Sequence, residues 1–337
     1  MSVIRALAAF AVVLSFFCPG SFGSSQASTP KASRDLGSVD AVPALSSATS
    51  STKAHRYVKS IKVGKIHRSY VVNVPKGYGA KPAPVLFVLH GAMGNTFTVA
   101  WDTRMTERAN EQGFIVVYPR GIGIAKTLMT WNAGDCCGIA KLRNIDDIAF
   151  LKTLIKQLHE DYNVDSDRIY MAGASNGGMM AYRAAMEMSD QIAAIATASG
   201  TMMTSEKVAG EPVSVIAFHG TKDHIVPFEG GPGGLPFWKI VGTKVADNVK
   251  FWVERDKCEH KAVREEVGNC VKETYSHGAN GTEVCVYIVK NGKHNWPGGR
   301  SAVLRNDPEM EKIDATDIIC KFFLAHPKVH SASSLKN

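Results

Sequence analysis

Long apolar segments are scarce in this sequence of 337 residues. The main one, at 6–17, is too short for a membrane span, which takes about 20 apolar residues. It follows Arg5 and precedes small residues such as Ser21 and Gly23. A basic residue, a short apolar run and small residues are the parts of a signal peptide. We therefore predict a signal peptide at 1–23 and a secreted protein, extracellular or periplasmic, without a membrane span.

Aromatic and large apolar residues are rare between residues 24 and 54, where serine, threonine, alanine and proline predominate. Such a composition cannot bury enough apolar surface to fold. We predict a disordered linker at 24–54, a single folded domain at 55–327 and a flexible tail at 328–337.

Metal-binding patterns are also missing, because there is no C-x-x-C and the histidines are scattered. No metal or other cofactor is expected. Of the seven cysteines, Cys18 falls in the predicted signal peptide. The even number that remains favours disulfides in an oxidising compartment. These six are Cys136, Cys137, Cys258, Cys270, Cys285 and Cys320.

The pairing of these cysteines stays open at the level of sequence. Cys136 and Cys137 can form a vicinal disulfide or join separate partners. Cys258 and Cys270 can bridge the segment before the last predicted strand, but Cys285 and Cys320 compete for the same pairing.

Basic residues are not clustered, although the formal net charge is +8. Nucleic-acid binding is not expected, because it needs a concentrated basic surface. A dispersed positive charge is compatible with acidic polymers or cell-surface glycans, or with an ordinary solvated surface. The composition does not indicate an oligomeric state.

Short apolar runs alternate with helical patterns along the chain. The predicted strands lie at 57–63, 69–74, 85–89, 114–118, 168–171, 192–198, 213–218 and 283–289, and the predicted helices at 97–112, 145–162, 176–188, 244–254 and 313–325. Unbroken apolar runs are typical of strands buried on both faces. The pattern predicts an α/β fold with one open, mostly parallel sheet covered by helices on both faces. In such sheets, ligands bind at the carboxyl ends of the strands.

Gly173, Ser175 and Gly177 form a G-x-S-x-G pattern between a predicted strand and a predicted helix. The turn at such a site is so sharp that only glycine fits on either side of the serine. It lifts the hydroxyl above the edge of the sheet, so Ser175 is a candidate nucleophile. The pattern also occurs in turns without chemistry, and its meaning therefore depends on the rest of the chain.

A serine hydroxyl needs a base that is oriented by an acid, and after this type of turn the acid precedes the histidine. Asp223 follows the predicted strand at 213–218, and His294 follows the predicted strand at 283–289. Both belong to the edge of the sheet that should carry Ser175. We predict Ser175 as nucleophile, His294 as base and Asp223 as the acid of a catalytic triad.

Backbone amides that stabilise an oxyanion are predicted at two positions. The strand at 85–89 ends in His90 and Gly91, and the turn that follows can aim the amide of Ala92 at the reacting oxygen. The second amide is that of Asn176, directly after the nucleophile. Each such donor contributes about 3 kcal/mol to lowering the barrier.

These motifs occur together with Trp131-Asn132-Ala133-Gly134, Cys136-Cys137-Gly138 and Asn295-Trp296-Pro297-Gly298. Residues 56–325 thereby resemble the secreted polyhydroxybutyrate depolymerase/feruloyl esterase family of α/β-hydrolases. The resemblance implies the α/β-hydrolase fold, with Ser175, Asp223 and His294 as the triad. Lys293 departs from the family pattern, which often has glycine before the histidine.

Trp131, Trp296 and His90 are predicted to bind substrate, the two tryptophans as an aromatic floor for an acyl group or a sugar. Core packing beside the cleft is the alternative for both tryptophans. His90 and His219 each end a buried strand and are expected to hydrogen-bond around the site rather than act as bases.

Two other features receive simpler predictions. Asp146 and Asp147 lie in the first turn of a predicted helix, where carboxylates cap free amides. Asn280-Gly281-Thr282 is a glycosylation sequon, which is meaningful only in a eukaryotic source.

The sequence as a whole predicts a secreted serine esterase that forms an acyl-enzyme. Its partner is an ester substrate, small or polymeric, of the polyhydroxyalkanoate type or a hydroxycinnamoyl or acetyl ester of a plant polysaccharide. The alternatives are a serine peptidase on the same fold and a non-catalytic glycan-binding protein on a hydrolase scaffold.

Overall fold

A computed structural model describes residues 54–79, 81–124, 128–203, 210–235, 238–300 and 307–330. The predicted signal peptide (1–23), nearly all of the predicted linker (24–54) and residues 331–337 of the predicted tail lie outside the described residues. Among the described residues, no helix has the length and apolarity to cross a membrane.

The described strands are β1 (His55–Val63), β2 (Ile66–Val74), β3 (Ala83–Leu89), β4 (Ile115–Pro119), β5 (Ile122–Gly123), β6 (Met129–Thr130), β7 (Val164–Ala174), β8 (Ala194–Ala198), β9 (Ser214–Gly220), β10 (Gly231–Leu235), β11 (Trp238–Gly242), β12 (Val263–Val267), β13 (Cys270–Tyr275) and β14 (Val284–Val289). The described α-helices are α1 (Thr96–Thr103), α2 (Met105–Glu111), α3 (Gly138–Leu142), α4 (Asp147–Asp161), α5 (Asn176–Glu187), α6 (Val245–Arg255) and α7 (Ala315–Ala325).

Ten of these strands form one sheet, in the order β1-β2-β4-β3-β7-β8-β9-β14-β13-β12. The six strands from β4 to β14 in this order are parallel to one another. Antiparallel strands extend the sheet on either side, β1 and β2 at one edge and β13 and β12 at the other. The mostly parallel sheet predicted from the apolar runs is confirmed.

Helices cover both faces of the sheet, which explains why its central strands are apolar on both sides. Every residue of β3 is buried. Apolar side chains of α4, α5 and α6 fill the core on one face, and those of α1, α2 and α7 fill it on the other. This arrangement brings the loops after β3, β7, β9 and β14 to one edge of the sheet.

The helix predicted at 97–112 is two helices. Arg104 lies between α1 and α2 with a φ angle of 54°, and a left-handed residue redirects the chain. The sequence contains no glycine or proline there to signal the break.

Three short antiparallel pairs were not predicted: β5 with β6, β10 with β11, and β12 with β13. Strand β12 shows the reason, because four of its five residues are exposed and none of the apolar alternation of a half-buried strand is present.

The cysteines differ from the general expectation of disulfides. Cys136 and Cys137 are bonded to each other across a cis peptide bond, which selects the vicinal alternative. The expectation is wrong for the other four, which are buried free thiols: Cys258, Cys270, Cys285 and Cys320. Strand register explains part of this result, because Cys285 faces Thr274 on β13 while Cys270 faces Val289.

The predicted flexible tail begins with a residue that is held in place. Lys328 is buried, its amide donates to the carbonyl of Asp167, and its Nζ lies 2.8 Å from a carboxylate oxygen of Glu211. The tail prediction is therefore wrong at this residue, because a long-range ion pair fixes it.

Candidate active site

Ser175 lies in a sharp turn between β7 and α5, with φ 52° and ψ −121°. Its amide donates to the carbonyl of Ala198 on the neighbouring strand (2.8 Å). A Cβ atom on Gly173 would collide with the backbone of Gly177, and one on Gly177 would collide with the carbonyl of Leu89. The glycines of the G-x-S-x-G pattern are thus required by close backbone contact, as the sequence predicted for a nucleophile turn.

Asp223 and His294 meet at the same edge of the sheet, after the adjacent parallel strands β9 and β14. The distance from His294 Nδ1 to Asp223 Oδ2 is 2.7 Å. Asp223 Oδ1 accepts hydrogen bonds from the amides of Ile225 (2.9 Å) and Val226 (2.8 Å). Two backbone amides therefore occupy Oδ1, and Oδ2 contacts the imidazole of His294.

The protonation of Asp223 follows from these contacts. Burial alone would raise the pKa of this carboxyl, but the charge and hydrogen bond of His294, with smaller contributions from His219 and the Val226 amide, outweigh it and lower the pKa. Asp223 is consequently an anion near neutral pH, and it holds the Nδ1 proton of His294. The other ring nitrogen, Nε2, is left to accept a proton.

Backbone contacts bring the Ser175 turn to the loop that carries His294. Ala198, which accepts the Ser175 amide, precedes Ser199, and the Ser199 hydroxyl donates to the carbonyl of Asn295 (3.4 Å). In the described part of the chain no hydrogen bond joins Ser175 Oγ to His294. In hydrolases this bond is often long until substrate binds.

Two free backbone amides flank the serine. In the described residues, neither the Ala92 nor the Asn176 amide donates to a protein acceptor. The loop before Ala92 is close to the serine, because a Cβ on Gly91 would lie 3.6 Å from Ser175 Cβ. Both amides are therefore available as donors, and their role towards an oxyanion stays a prediction.

His90 is completely buried beneath this loop, so the prediction that it binds substrate is wrong. Its Nε2 accepts the Gly121 amide (3.0 Å), and its Nδ1 therefore donates to the Gly91 carbonyl (2.9 Å). Burial, opposed by the hydrogen bond to Gly91, lowers the pKa of His90 to about 4. The neutral ring thus supports the loop that carries Ala92.

The two predicted aromatic contacts to substrate are also wrong, because Trp131 and Trp296 are buried. Trp131 donates from Nε1 to the carbonyl of His90 (2.9 Å), and Trp296 donates from Nε1 to Thr316 Oγ1 (2.9 Å). Both follow the core-packing alternative. Each nevertheless supports the site, because Trp131 bonds the residue before the loop of Ala92 and Trp296 bonds the loop of His294 to α7.

The side chain of Asn176 links this support to the oxyanion turn. Its Oδ1 accepts the Trp131 amide (2.8 Å) and its Nδ2 donates to the Trp131 carbonyl (3.1 Å). The vicinal disulfide loop shares this anchor, because the Cys137 amide donates to the same carbonyl (3.0 Å). The position of the Asn176 amide therefore depends on a loop that is distant in sequence.

His219 is buried behind the acid and acts as a hydrogen-bonding group, in line with the expectation from sequence. Its Nε2 donates to the carbonyl of Val226 (2.8 Å). Burial lowers the pKa of His219 in spite of the nearby Asp223 carboxylate. The ring fixes the turn whose amides hold Asp223.

Asp146 and Asp147, which were both predicted to cap a helix, have different roles. Asp146 caps α4 by accepting the Ala149 amide (2.8 Å), whereas Asp147 forms a buried ion pair with Arg68 (2.7 Å). The other carboxylate oxygen of Asp147 accepts the Asn132 amide (2.8 Å). Arg68 was missed because it precedes the strand predicted at 69–74, and the sequence gives no sign that its side chain is buried.

Among the described residues, no group of three or more His, Cys, Asp or Glu side chains is arranged so that it could hold a metal ion. The chemistry of the arrangement is instead that of a hydroxyl in a strained turn, a hydrogen-bonded imidazole and carboxylate, and two free amides. Such an assembly can carry out acyl transfer.

Comparison with known proteins agrees with this geometry. Residues 68–227 match the family model described as esterase PHB depolymerase. The chain is 30% identical over 243 residues to feruloyl esterase B of Piromyces equi, a match that covers 69% of this chain and 44% of that protein. It is 31% identical over 156 residues to a bifunctional acetylxylan esterase/xylanase of Neocallimastix patriciarum, covering 46% of this chain and 22% of the other. The chain thus spans less than half the length of these two relatives.

Solved structures share the fold at low sequence identity. The crystal structure of native sOPH superposes with a TM-score of 0.55 at 17% identity and covers 85% of this chain and 91% of the other. The acetyl xylan esterase from Aspergillus awamori superposes with a TM-score of 0.52 at 14% identity, covering 76% and 98%. These likenesses show the α/β-hydrolase fold. Residues 68–227 are therefore similar to the family described as esterase PHB depolymerase, and the chain has the α/β-hydrolase fold.

Proposed function

We propose that this protein is a secreted serine esterase with Ser175 as nucleophile, His294 as base and Asp223 as the acid that orients the base. The observation that carries the proposal is the 2.7 Å contact between His294 Nδ1 and Asp223 Oδ2 beside the Ser175 turn. The family match and the similarity to named esterases support the same chemistry.

The first half of the reaction forms an acyl-enzyme. Ser175 Oγ attacks the carbonyl carbon of the ester while its proton passes to His294 Nε2. Asp223, ionised because of its low pKa, stabilises the resulting imidazolium. The amides of Ala92 and Asn176 donate to the oxyanion. The carbon–oxygen bond to the alcohol then breaks, and the alcohol leaves with the proton from His294, which completes the acyl-enzyme.

The second half releases the acid. Water attacks the acyl carbon while His294 accepts a proton from it, the bond between that carbon and Ser175 Oγ breaks, and Ser175 regains its proton from His294. No step requires a metal or an organic cofactor.

For the substrate, we propose carboxylic esters carried on plant polysaccharides, with hydroxycinnamoyl or acetyl as the acyl group. Two relatives bear the names feruloyl esterase and acetylxylan esterase/xylanase. Esters of the polyhydroxyalkanoate type are the second candidate, on the strength of the family match. Secretion is part of the proposal and rests on the sequence pattern at 1–23.

The test is turnover of p-nitrophenyl acetate by the Ser175→Ala variant. We expect a loss of at least about 10³-fold in kcat, since the nucleophile is removed while binding persists. Ser60→Ala, at an exposed position of β1, should keep full activity. Equal turnover by Ser175→Ala and the unaltered protein would exclude the mechanism. Turnover no faster than the uncatalysed reaction in both proteins would favour the non-catalytic alternative.

A substrate panel separates the remaining candidates. Methyl ferulate, acetylated xylan and a soluble hydroxybutyrate oligomer distinguish the acyl groups. An aminoacyl-anilide tests the peptidase alternative, and cleavage of the anilide without ester turnover would contradict the proposed esterase.

A further inference from the structure

Two large aromatic side chains are exposed on α1, the helix that follows the predicted oxyanion loop. Phe97 is 71% exposed and Trp101 is 51% exposed. They are four positions apart in the sequence, so they lie on the same face of the helix. Neighbouring exposed aromatic residues commonly mark a binding surface.

Hydrogen bonds connect α1, which carries the aromatic face of Phe97 and Trp101, to two loops of the candidate site. At the start of α1, Asn95 accepts the amides of Phe97 (2.8 Å) and Thr98 (3.1 Å), which fixes the helix directly after the loop of Ala92. At the other side, the amide of Arg300 donates to the carbonyl of Asp102 (2.9 Å). Arg300 belongs to the loop that continues from His294. Helix α1, which carries the two aromatic residues, therefore lies between the loop of Ala92 and the loop that continues from His294.

Charged groups border the aromatic face. The guanidinium of Arg300 lies 4.4 Å from the centre of the Trp101 ring. Its Nη2 is 3.4 Å from a carboxylate oxygen of Glu107, whose other oxygen is 3.3 Å from Arg104 Nε. All three charged side chains are partly exposed. The face thus offers apolar ring surface together with hydrogen-bond donors and an acceptor.

This combination matches a pyranose ring. A sugar presents an apolar face of C–H groups that can pack on an aromatic ring, and an edge of hydroxyls that both donate and accept hydrogen bonds. A polyester chain has carbonyl acceptors but no donors, so Glu107 would find no partner on it. The charged border therefore favours a carbohydrate over a polyester.

We propose that Phe97, Trp101 and Arg300 form a subsite for the pyranose backbone of the polysaccharide whose ester is hydrolysed at Ser175. The subsite rests on the proposed function and extends it, because it assigns the recognition of the polymer to residues outside the catalytic centre. The acyl group enters the site, and the backbone lies along α1.

The test measures binding without turnover. In the full chain carrying Ser175→Ala, depletion from solution by insoluble arabinoxylan reports the affinity for the polysaccharide. Addition of Trp101→Ala should weaken binding about tenfold, the size expected when a stacked aromatic contact is lost. Phe97→Ala and Arg300→Ala should weaken it by smaller factors.

Val263→Ala is the matched control. Val263 is 62% exposed on β12, at the edge of the sheet far from α1, and its replacement should leave binding unchanged. The thermal unfolding midpoint checks that each variant is folded, and we expect shifts below about 3 °C for these partly exposed positions.

The outcomes are distinguishable. Unchanged arabinoxylan binding by the Trp101→Ala and Phe97→Ala variants would overturn the subsite. If these variants bound arabinoxylan as before but lost binding to a polyhydroxybutyrate film, the subsite would also be overturned, in favour of a polyester. Arabinoxylan binding that depends on Trp101 in a protein without ester turnover would support the subsite and contradict the esterase.

Discussion

At the scale of single residues, burial and partners decide which ionisable groups are charged. Asp223 is buried but ionised, because His294 and two backbone amides compensate it. His90 is buried and neutral, because burial and the charges of Arg120 and Arg68 lower its pKa more than the hydrogen bond to Gly91 raises it. Two buried groups therefore differ in charge, because their neighbours differ.

Asp256 provides a test of this principle by pH. It is completely buried, and burial, only partly opposed by Arg255, raises its pKa to about 7. In the unfolded chain an aspartate has a pKa of about 3.9. Between these values the folded protein holds a proton that the unfolded chain does not, so the contribution of Asp256 to stability falls as pH rises through this window.

Asp256→Asn removes this pH dependence. We expect the melting temperature of the variant, relative to the unaltered protein, to increase between about pH 5 and about pH 8. Thermal unfolding across this range is the measurement, with the exposed Asp190→Asn as control. A difference that is constant with pH would contradict the raised pKa of Asp256.

At the scale of elements, close contacts between backbones hold the nucleophile turn. Strand β7, helix α5 and the end of β3 converge at Gly173 and Gly177, where no Cβ fits. The start of α5 is consequently fixed relative to β3, and this positions the Asn176 amide beside the loop of Ala92.

Gly177→Ala should disturb this convergence. The methyl group would collide with the carbonyl of Leu89, and overpacking of this kind destabilises by about 1–3 kcal/mol. Because α5 must move away from β3, we also expect ester turnover to fall by more than the loss of folded protein. Urea unfolding and kcat on p-nitrophenyl acetate measure the two effects.

Gly268→Ala is the control for Gly177→Ala. Gly268 has a φ angle of 60° and nothing within 4 Å of an added Cβ, so its replacement adds backbone strain without a collision. It should reduce stability by about 1 kcal/mol and leave kcat unchanged. Equal kcat values in both variants would show that the glycine contact does not position the site.

At the scale of the whole molecule, one buried ion pair connects parts that are distant in sequence. Arg68 on β2 bonds Asp147 at the start of α4 and the carbonyl of Arg120 after β4. Asp147 in turn holds the amide of Asn132, next to the residue that anchors Asn176. The pair thereby links one side of the sheet to the support of the oxyanion turn.

Arg68→Met should expose the cost of an unpaired buried charge. Asp147 would remain buried without its partner, and breaking such a pair destabilises by about 3–5 kcal/mol. The double variant Arg68→Met/Asp147→Leu should recover part of this loss. Urea unfolding of the single and double variants measures the coupling.

Lys59 and Asp161 supply a matched comparison, with the same 2.7 Å separation but partly exposed side chains. Lys59→Met should destabilise by no more than about 1 kcal/mol. Equal losses for Lys59→Met and Arg68→Met would contradict a special role for the buried pair.

Much of the fold and of the candidate site could be predicted because it depends on local pattern. Short stretches of sequence show the apolar run of β3 and the glycines around Ser175. They also show that Asp223 and His294 follow predicted strands. The break at Arg104 and the exposed strand β12 could not be predicted, because neither carries a local signal. The prediction that Trp131, Trp296 and His90 bind substrate was wrong, because the solvent exposure of a side chain depends on residues that are distant in the sequence.

The sequence by itself determined the mostly parallel sheet, the order of its loops and the residues that the loops bring to one edge, because periodicity and glycine sterics act between near neighbours. Only the tertiary structure decided which aromatic residues are buried and which are exposed, that Cys285 has no cysteine partner within the described part of the chain, and that Arg68 binds Asp147. The physical reason is that burial and ion pairing depend on atoms from distant parts of the chain, which meet only after folding.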